Sequence, residues 1–172
     1  SLKQKEILSK EEYFEIIDRK TAELFKASAT TAGTLASCTK KELVSLTNFS
    51  ISLGMNFQIK DDLLDYFGDE ELTGKKIGKD FEEGKFTLPL IIALPLMPKT
   101  DSSMILETLF HNKKPDFKYI IKIIKDTGAI EKVEDICNQF SETCFKELEN
   151  FPQSDYKKGL IDIVENINAR VS

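Results

Sequence analysis

The chain has 172 residues, which favours one domain, and its 41% hydrophobic and 31% charged residues are typical of an ordinary soluble globular protein. A net charge of −5, without an Arg-rich tract, argues against a nucleic-acid-binding protein. No apolar run approaches the ~20 residues of a membrane-spanning helix, so we expect no transmembrane segment.

The first predicted helix opens on a capping box, in which Ser9 is followed three residues later by Glu12. Apolar residues at helical spacing extend this helix to about residue 37. A second helix is predicted over about 40–67. Gly68 is expected to end it, as a glycine just past the C-terminus of a helix often does.

The sequence predicts shorter helices after a loop over residues 68–85. An apolar helix begins near Leu88, and the prolines at 95 and 98 are expected to kink or stop it. Next come a helix over 101–110 capped by Asp101 or Ser102, a turn over 112–115, and helices over 116–127, 129–151 and 160–167. No polar–apolar alternation indicates a strand. The predicted class is all-α, with residues 1–172 forming a single segment.

The three cysteines, Cys38, Cys137 and Cys144, are odd in number and lack CxxC spacing. Disulfides persist mainly in oxidising compartments, and paired ligand spacing is typical of metal sites. We therefore expect reduced, buried thiols and a cytoplasmic location.

The most informative residues lie near the end of the second helix. A period of 3.6 residues places Gln58, Asp61, Asp62 and Asp65 within roughly a 100° arc, on a helix that is otherwise apolar and therefore buried. Two unit charges about 5 Å apart repel by on the order of 3 kcal/mol at an effective dielectric constant near 20. These carboxylates therefore need water, a basic partner or a cation. A solvated acidic face is one interpretation, and one or two Mg²⁺ ions bridging a diphosphate is the other.

The loop after this helix carries glycines at 68, 74, 78 and 84 and lysines at 75, 76, 79 and 85. Glycines allow a loop to fold over a ligand, and lysines pair with phosphate as point charges. A lysine-rich surface loop without a ligand is the alternative. An EF-hand is excluded because its DxDxDG spacing is absent. The aspartates and this loop together predict a site for a metal and a phosphorylated ligand.

The run FQIKDDLLDYFGDEELTGKKIGKDFEEGKFTLPLI, residues 57–91, resembles the second aspartate-rich region of trans-polyprenyl diphosphate synthases. Within that family it is most similar to long-chain, octaprenyl-type enzymes that make quinone side chains. Residues 13–36, YFEIIDRKTAELFKASATTAGTLA, resemble the family's Lys-Thr helix. TGAIEKVEDICNQF and ELENFPQSDYKKGL in the C-terminal part also fit. The resemblance covers nearly all of the chain and implies a helical bundle, the C-terminal part of the isoprenoid synthase fold.

The resemblance also implies roles for individual residues. Those that would hold Mg²⁺ are Asp61, Asp62 and Asp65. Those that would contact the substrate diphosphate are Lys20, Lys75 and Lys85. Those that would face the allylic carbocation are Thr21 and Gln58.

The implied chemistry is ionisation followed by condensation. Mg²⁺ and lysines take up the charge of the departing diphosphate, and the double bond of isopentenyl diphosphate attacks the allylic cation. A proton is then lost, and the chain grows by five carbons. The implied partners are therefore an allylic diphosphate and isopentenyl diphosphate, with a homodimer as the expected assembly.

Two motifs of the family are missing from these 172 residues: the first aspartate-rich motif and the Gly-Lys-x-x-Arg-Pro sequence that binds isopentenyl diphosphate. Both belong to the N-terminal half of such enzymes. We therefore expect the C-terminal half of a larger prenyl synthase domain, inactive alone. Two alternatives remain. One is a non-catalytic subunit or binding module that completes a partner's prenyl diphosphate site. The other is another all-α isoprenoid enzyme such as a terpene cyclase, which DDLLD and EGKFTLP disfavour.

Overall fold

The computed structural model describes residues 7–68, 77–110 and 116–171. Helices make up all the regular structure in these ranges, and no strand occurs there, which confirms the all-α class. In chain order they are α1 (Lys10–Ile17), a π-helical turn (Asp18–Ala22), α2 (Glu23–Leu35), α3 (Lys40–Phe67), α4 (Lys79–Glu82), α5 (Leu88–Ala93), a 3₁₀ turn (Leu94–Leu96), α6 (Lys99–Phe110), α7 (Phe117–Asp126), α8 (Ala129–Leu148), α9 (Asp155–Asn168) and a final 3₁₀ turn (Ala169–Val171). None of the helices described is both long and apolar enough to cross a membrane.

Capping boxes begin two of the longer helical stretches. The Ser9 N–H donates to Glu12 Oε2 at 2.8 Å, and the Glu12 N–H donates to Ser9 Oγ at 3.2 Å, which confirms the predicted start of α1. Thr39 and Glu42 form the same reciprocal pair at the start of α3, with distances of 2.7 and 3.3 Å. Local side-chain chemistry thus determines where both stretches begin.

Several predicted boundaries were wrong. α6 begins at Lys99 because the Ser102 N–H already donates to the Pro98 carbonyl at 3.0 Å, so Asp101 and Ser102 lie inside the helix instead of capping it. α9 begins at residue 155, since Ser154 Oγ accepts the Lys157 N–H. α4 was not predicted, because four residues are too few to show periodicity. The predicted turn over 112–115 lies outside the described residues.

The described chain divides into two compact units. The first unit takes residues up to 13 and those between 61 and 134, and the second takes residues 14–60 and those from 135 onward. α3 contributes residues 40–60 to the second unit and 61–67 to the first. The prediction that residues 1–172 form one segment of a larger domain stays a prediction.

Each unit has its own apolar core. The core of the first unit is built mainly from α5, α6 and α7 and includes Tyr66 and Phe81. Tyr66 fixes the end of α3 there: its ring centroid lies 5.8 Å from that of Phe117, and its hydroxyl accepts a hydrogen bond from Thr87 Oγ1 at 3.1 Å. The core of the second unit contains Phe49, Leu53, Cys144, Leu148, Val164 and Ile167.

The three cysteines form no disulfide, but they are not uniformly buried. Cys137 and Cys144 lie in the interior, and burial raises the pKa of the Cys144 thiol to about 12. Cys38 is only half-buried, because it lies in the short connection between α2 and α3. The prediction of three buried thiols is therefore correct for two of them.

Candidate functional site

Asp62 is a buried carboxylate with a specific partner. Only 5% of this residue is exposed, and Tyr13 Oη, also in the first unit, donates to its Oδ2 at 2.6 Å. Such a short hydrogen bond to an ionised oxygen is stronger than one between neutral groups. Asp62 is therefore not part of a solvated acidic face, although Asp61 and Asp65 on either side of it are half-buried.

Asp65 organises the chain at residues 78–80. Its Oδ1 accepts the Lys79 N–H and its Oδ2 accepts the Asp80 N–H, each at 3.1 Å, while its backbone carbonyl accepts the Gly78 N–H at 2.7 Å. These are the N–H groups that α4 leaves unsatisfied at its start, so Asp65 caps α4 from a distant part of the sequence. Gly78 is required here, because its φ of 80° is left-handed and a Cβ atom would lie 2.8 Å from the Phe117 ring.

Negative charge is in excess around Asp65. Burial raises the pKa of its carboxyl group, and repulsion from the Asp80 carboxylate raises it further, against the lowering effects of the two N–H donors and of the Lys85 ammonium. A cation bound at this point would relieve that repulsion, because it favours the ionised form. Asp65 is therefore a carboxylate whose ionised form a bound cation would stabilise.

The donor chemistry here fits Mg²⁺, which prefers carboxylate oxygens and often takes only one or two of them, completing its shell with water and phosphate oxygens. Within the described residues, no group of three or more His, Cys, Asp or Glu side chains is arranged to hold a metal ion. A metal here would therefore depend on ligand oxygens in addition to one or two of Asp61, Asp62 and Asp65.

Lys85, the third residue after α4, lies between two carboxylates. Its Nζ is 2.7 Å from Asp80 Oδ1 and 2.8 Å from Glu83 Oε2, and these contacts, with Asp80 first, raise the pKa of its ammonium group. Lys85 is therefore cationic, half-exposed and already paired. Lys75, also predicted to bind diphosphate, lies outside the described residues.

The other predicted residues lie in the second unit. Lys20 and Thr21 belong to the π-helical turn, and Thr21 Oγ1 donates to Gln58 Oε1 at 2.8 Å, while Lys20 is exposed. A Cβ atom on Gly54 would lie 2.7 Å from the Ala22 backbone, so this glycine allows α3 to pack closely against the turn. The structure thus brings Thr21 and Gln58 together.

Sequence reasoning missed the π-helical turn and three polar residues. Isolated π turns inside α-helices are frequent at functional sites. The missed side chains are Tyr13, Asp80 and the buried Lys60, whose Nζ donates to the Asn168 carbonyl at 3.1 Å. A lysine directly before Asp61 on an apolar helix was an available signal for Lys60. Nothing local marks Tyr13 as the partner of a residue 49 positions away.

The family model and the curated relatives that match this chain all point to the same protein family. Residues 1–126 match the model of the polyprenyl synthetase family. The chain is 32% identical over 157 residues to octaprenyl diphosphate synthase of Escherichia coli, covering 91% of this chain and 49% of that protein. It is 33% identical over 152 residues to all-trans-nonaprenyl-diphosphate synthase (geranyl-diphosphate specific) of Rhodobacter capsulatus, covering 88% and 46%. The chain therefore spans about half the length of the curated relatives it matches.

Solved structures agree with the sequence comparison. Polyprenyl synthase from Caulobacter crescentus, complexed with calcium and isoprenyl diphosphate, superposes with a TM-score of 0.88 at 30% identity, covering 95% of this chain and 51% of that one. Decaprenyl diphosphate synthase from Rhodobacter capsulatus gives a TM-score of 0.87 at 27% identity, with the same coverage. The resemblance inferred from the sequence motifs is confirmed.

Proposed function

Since this chain belongs to the polyprenyl synthetase family, we propose that it is the C-terminal part of a Mg²⁺-dependent trans-polyprenyl diphosphate synthase. Such an enzyme joins isopentenyl diphosphate to an allylic diphosphate. The observation that carries the proposal is the arrangement around Asp65. Its two carboxylate oxygens accept the N–H groups of residues 79 and 80, and the half-exposed cation Lys85 follows five residues after Asp80 and pairs with it. This arrangement supports the proposal, because carboxylates suited to a cation and an ammonium suited to a diphosphate lie in one unit of the fold.

In this proposal one or two of Asp61, Asp62 and Asp65 supply the protein oxygens for Mg²⁺, and phosphate and water oxygens complete its shell. When bound, Mg²⁺ neutralises charge on the departing diphosphate. Tyr13 orients the Asp62 carboxylate, because its hydroxyl donates a hydrogen bond to Oδ2. Asp65 also caps α4, so the residue proposed to meet the cation fixes the segment that carries the phosphate-binding lysine.

Lys85, Lys75 and Lys20 are proposed to donate charged hydrogen bonds to diphosphate oxygens. Thr21 and Gln58 are proposed to face the allylic group. The Thr21 hydroxyl directs its proton to Gln58 Oε1, so the hydroxyl oxygen can present lone pairs to a developing positive charge. The same hydrogen bond orients the Gln58 amide.

The finer assignments are also part of the proposal. The octaprenyl and nonaprenyl synthases among the relatives support a long-chain, octaprenyl-like product. The three thiols, none of which is in a disulfide, support a cytoplasmic location. We propose a homodimer as the assembly. We also propose that the 172 residues alone do not catalyse prenyl transfer, because they carry only the second aspartate-rich motif.

The metal assignment is tested by calorimetric titration of the 172-residue chain with farnesyl diphosphate, with and without Mg²⁺. We expect binding that requires Mg²⁺ and an affinity at least about tenfold lower for Asp65→Asn. Asp162→Asn, an exposed aspartate on α9, is the matched control and should bind like the wild type. The assignment is contradicted if farnesyl diphosphate binds with the same affinity in EDTA and in Mg²⁺, or if both variants lose the same affinity.

The inactivity of the isolated chain is tested with radiolabelled isopentenyl diphosphate and farnesyl diphosphate in Mg²⁺. We expect no labelled product longer than the starting allylic diphosphate. Extraction of an elongated labelled prenyl diphosphate would show that the missing motifs are dispensable.

A further inference from the structure

Lys85 is held by its neighbours on both its side chain and its backbone. Its Nζ contacts Asp80 Oδ1 and Glu83 Oε2, and its backbone N–H donates to the Asp80 carbonyl at 2.9 Å. Two of these three contacts are therefore made to the same residue. An ammonium group has three donors, so two carboxylates already occupy most of its capacity.

The two carboxylate partners are not equivalent. The Asp80 side chain is 21% exposed, against 44% for Glu83, and Glu83 also pairs with Lys79 at 3.8 Å. The backbone of Asp80 is fixed in two ways: its N–H donates a hydrogen bond to Asp65 Oδ2, and the next residue in α4, Phe81, is buried. Because a less exposed and better fixed ion pair is screened less by water, Asp80 is the stronger of the two partners.

We propose that Asp80 is a positioning and selectivity residue: it holds the Lys85 ammonium until a diphosphate accompanied by a divalent cation releases it. This inference rests on the proposed function, in which Lys85 binds diphosphate. A bare diphosphate would have to displace Asp80 from Lys85 and would meet three carboxylates nearby, those of Asp65, Asp80 and Glu83. A cation that binds these carboxylates removes that repulsion, so Lys85 becomes available only to the metal-bound form of the ligand.

The test uses inorganic diphosphate as the probe, titrated calorimetrically into the full 172-residue chain in EDTA and in Mg²⁺. Asp80→Asn is expected to raise the affinity in EDTA by about fivefold or more, because a fixed negative charge beside Lys85 is removed. In Mg²⁺ the same variant is expected to bind about threefold more weakly than the wild type, because Lys85 is no longer held in place. A purely structural role for Asp80 would lower both affinities.

The matched control is Glu82→Gln, an exposed α4 residue whose substitution changes the net charge equally. It should change the EDTA affinity much less than Asp80→Asn does. Asp80→Glu, which keeps the charge, should retain the weak metal-free binding of the wild type. If Asp80→Asn is poorly folded by circular dichroism, Asp80→Ser provides the same charge removal.

A double-mutant cycle separates this inference from the function on which it rests. Adding Lys85→Gln to Asp80→Asn should abolish the gain in EDTA, because the gain acts through the ammonium. If Lys85→Gln alone leaves Mg²⁺-diphosphate binding unchanged, the proposed role of Lys85 is wrong. A different result is that Lys85→Gln weakens binding, while Asp80→Asn and Glu82→Gln have the same affinity for diphosphate in EDTA. In that case the selectivity role of Asp80 is wrong and the diphosphate-binding role of Lys85 stands.

Discussion

The second unit contains a network of neutral polar side chains, whereas Asp65 in the first unit is a half-buried carboxylate beside another carboxylate, that of Asp80. Asn56 Nδ2 donates to Ser141 Oγ at 2.9 Å and to Asn168 Oδ1 at 3.0 Å, and Ser141 Oγ donates to the same Asn168 oxygen at 2.8 Å. The pKa of Asp65 is instead raised, first by burial and then by repulsion from the Asp80 carboxylate. Neutral pairing of this kind stabilises a fold, while excess negative charge prepares a region for a cation.

The cations of the two units differ in the same way. In the second unit, Lys60 donates to the last carbonyl of α9, and the Arg170 guanidinium lies 5.1 Å from the centroid of the Phe57 ring. Cations at the C-terminal end of a helix interact favourably with its dipole, so these contacts are structural. Lys85 in the first unit pairs with two side-chain carboxylates, which an incoming anion can replace.

The largest effect is expected from breaking the neutral network. Asn168→Ala leaves one Asn56 amide hydrogen without an acceptor, which costs about 1–3 kcal/mol. It also removes a Ser141 hydrogen bond worth about 1 kcal/mol, although the Ser141 hydroxyl keeps the Cys137 carbonyl as an acceptor at 3.0 Å. The free energy of unfolding should therefore fall by about 2–4 kcal/mol. Urea denaturation measures this difference. Asn166→Ala, an exposed change on the same helix, should be neutral or slightly stabilising. Equal effects of the two substitutions would mean that the network contributes nothing.

A smaller effect is expected at the buried carboxylate of the first unit. Tyr13→Phe removes the donor to Asp62, and hydrogen bonds to charged groups contribute about 1.5–3 kcal/mol, so the free energy of unfolding should fall by about that amount. Mg²⁺ should restore part of this loss, because a cation replaces the missing donor, and it should restore nothing in Asn168→Ala. The control is Tyr156→Phe, at a tyrosine that is 89% exposed. If Mg²⁺ stabilised Tyr13→Phe and Asn168→Ala equally, the proposed difference between the two units would be wrong.

The contrast between the units also explains what the sequence could predict. The span of α3 and its aspartates was predicted correctly, because helical periodicity and a terminal glycine are local signals. The roles of Asp62 and Asp65 as hydrogen-bond acceptors were not predicted. They depend on Tyr13, 49 residues earlier, and on the N–H groups of residues 79 and 80, 14 and 15 residues later.

The π-helical turn shows the same limit. The predicted first helix, from Ser9 to about residue 37, is correct in extent, but the turn at residues 18–22 shifts the register of everything after it. Composition does not reveal that extra residue, since Asp, Arg, Lys and Thr are ordinary on an exposed helix face. Its position beside Gly54 is decided by packing against α3. Local patterns therefore located the candidate residues, and contacts distant in sequence decide how each is held.

The smallest effect is expected in the pH dependence linked to Asp65, because this carboxylate is half-exposed and water screens its interactions. The pKa of Asp65 is raised above the ordinary value of 3.8, first by burial and then by Asp80. Below pH 3.8 the group is protonated in both the folded and the unfolded chain. As the pH rises, the unfolded chain releases its proton first, so the wild type loses stability until the pH exceeds the raised pKa.

Asp65→Asn removes this titration, so the unfolding free energy of the wild type minus that of the variant should decrease as the pH rises through that window and then level off. Urea denaturation between pH 3 and pH 7 measures the difference, with Asp162→Asn as the exposed control that shows no such trend. Mg²⁺ should flatten the decrease, because cation binding favours the ionised carboxylate in the folded chain. A difference that increases with pH would mean that Asp65 lies among net positive charge, and the first unit would then resemble the second in having its charges already balanced.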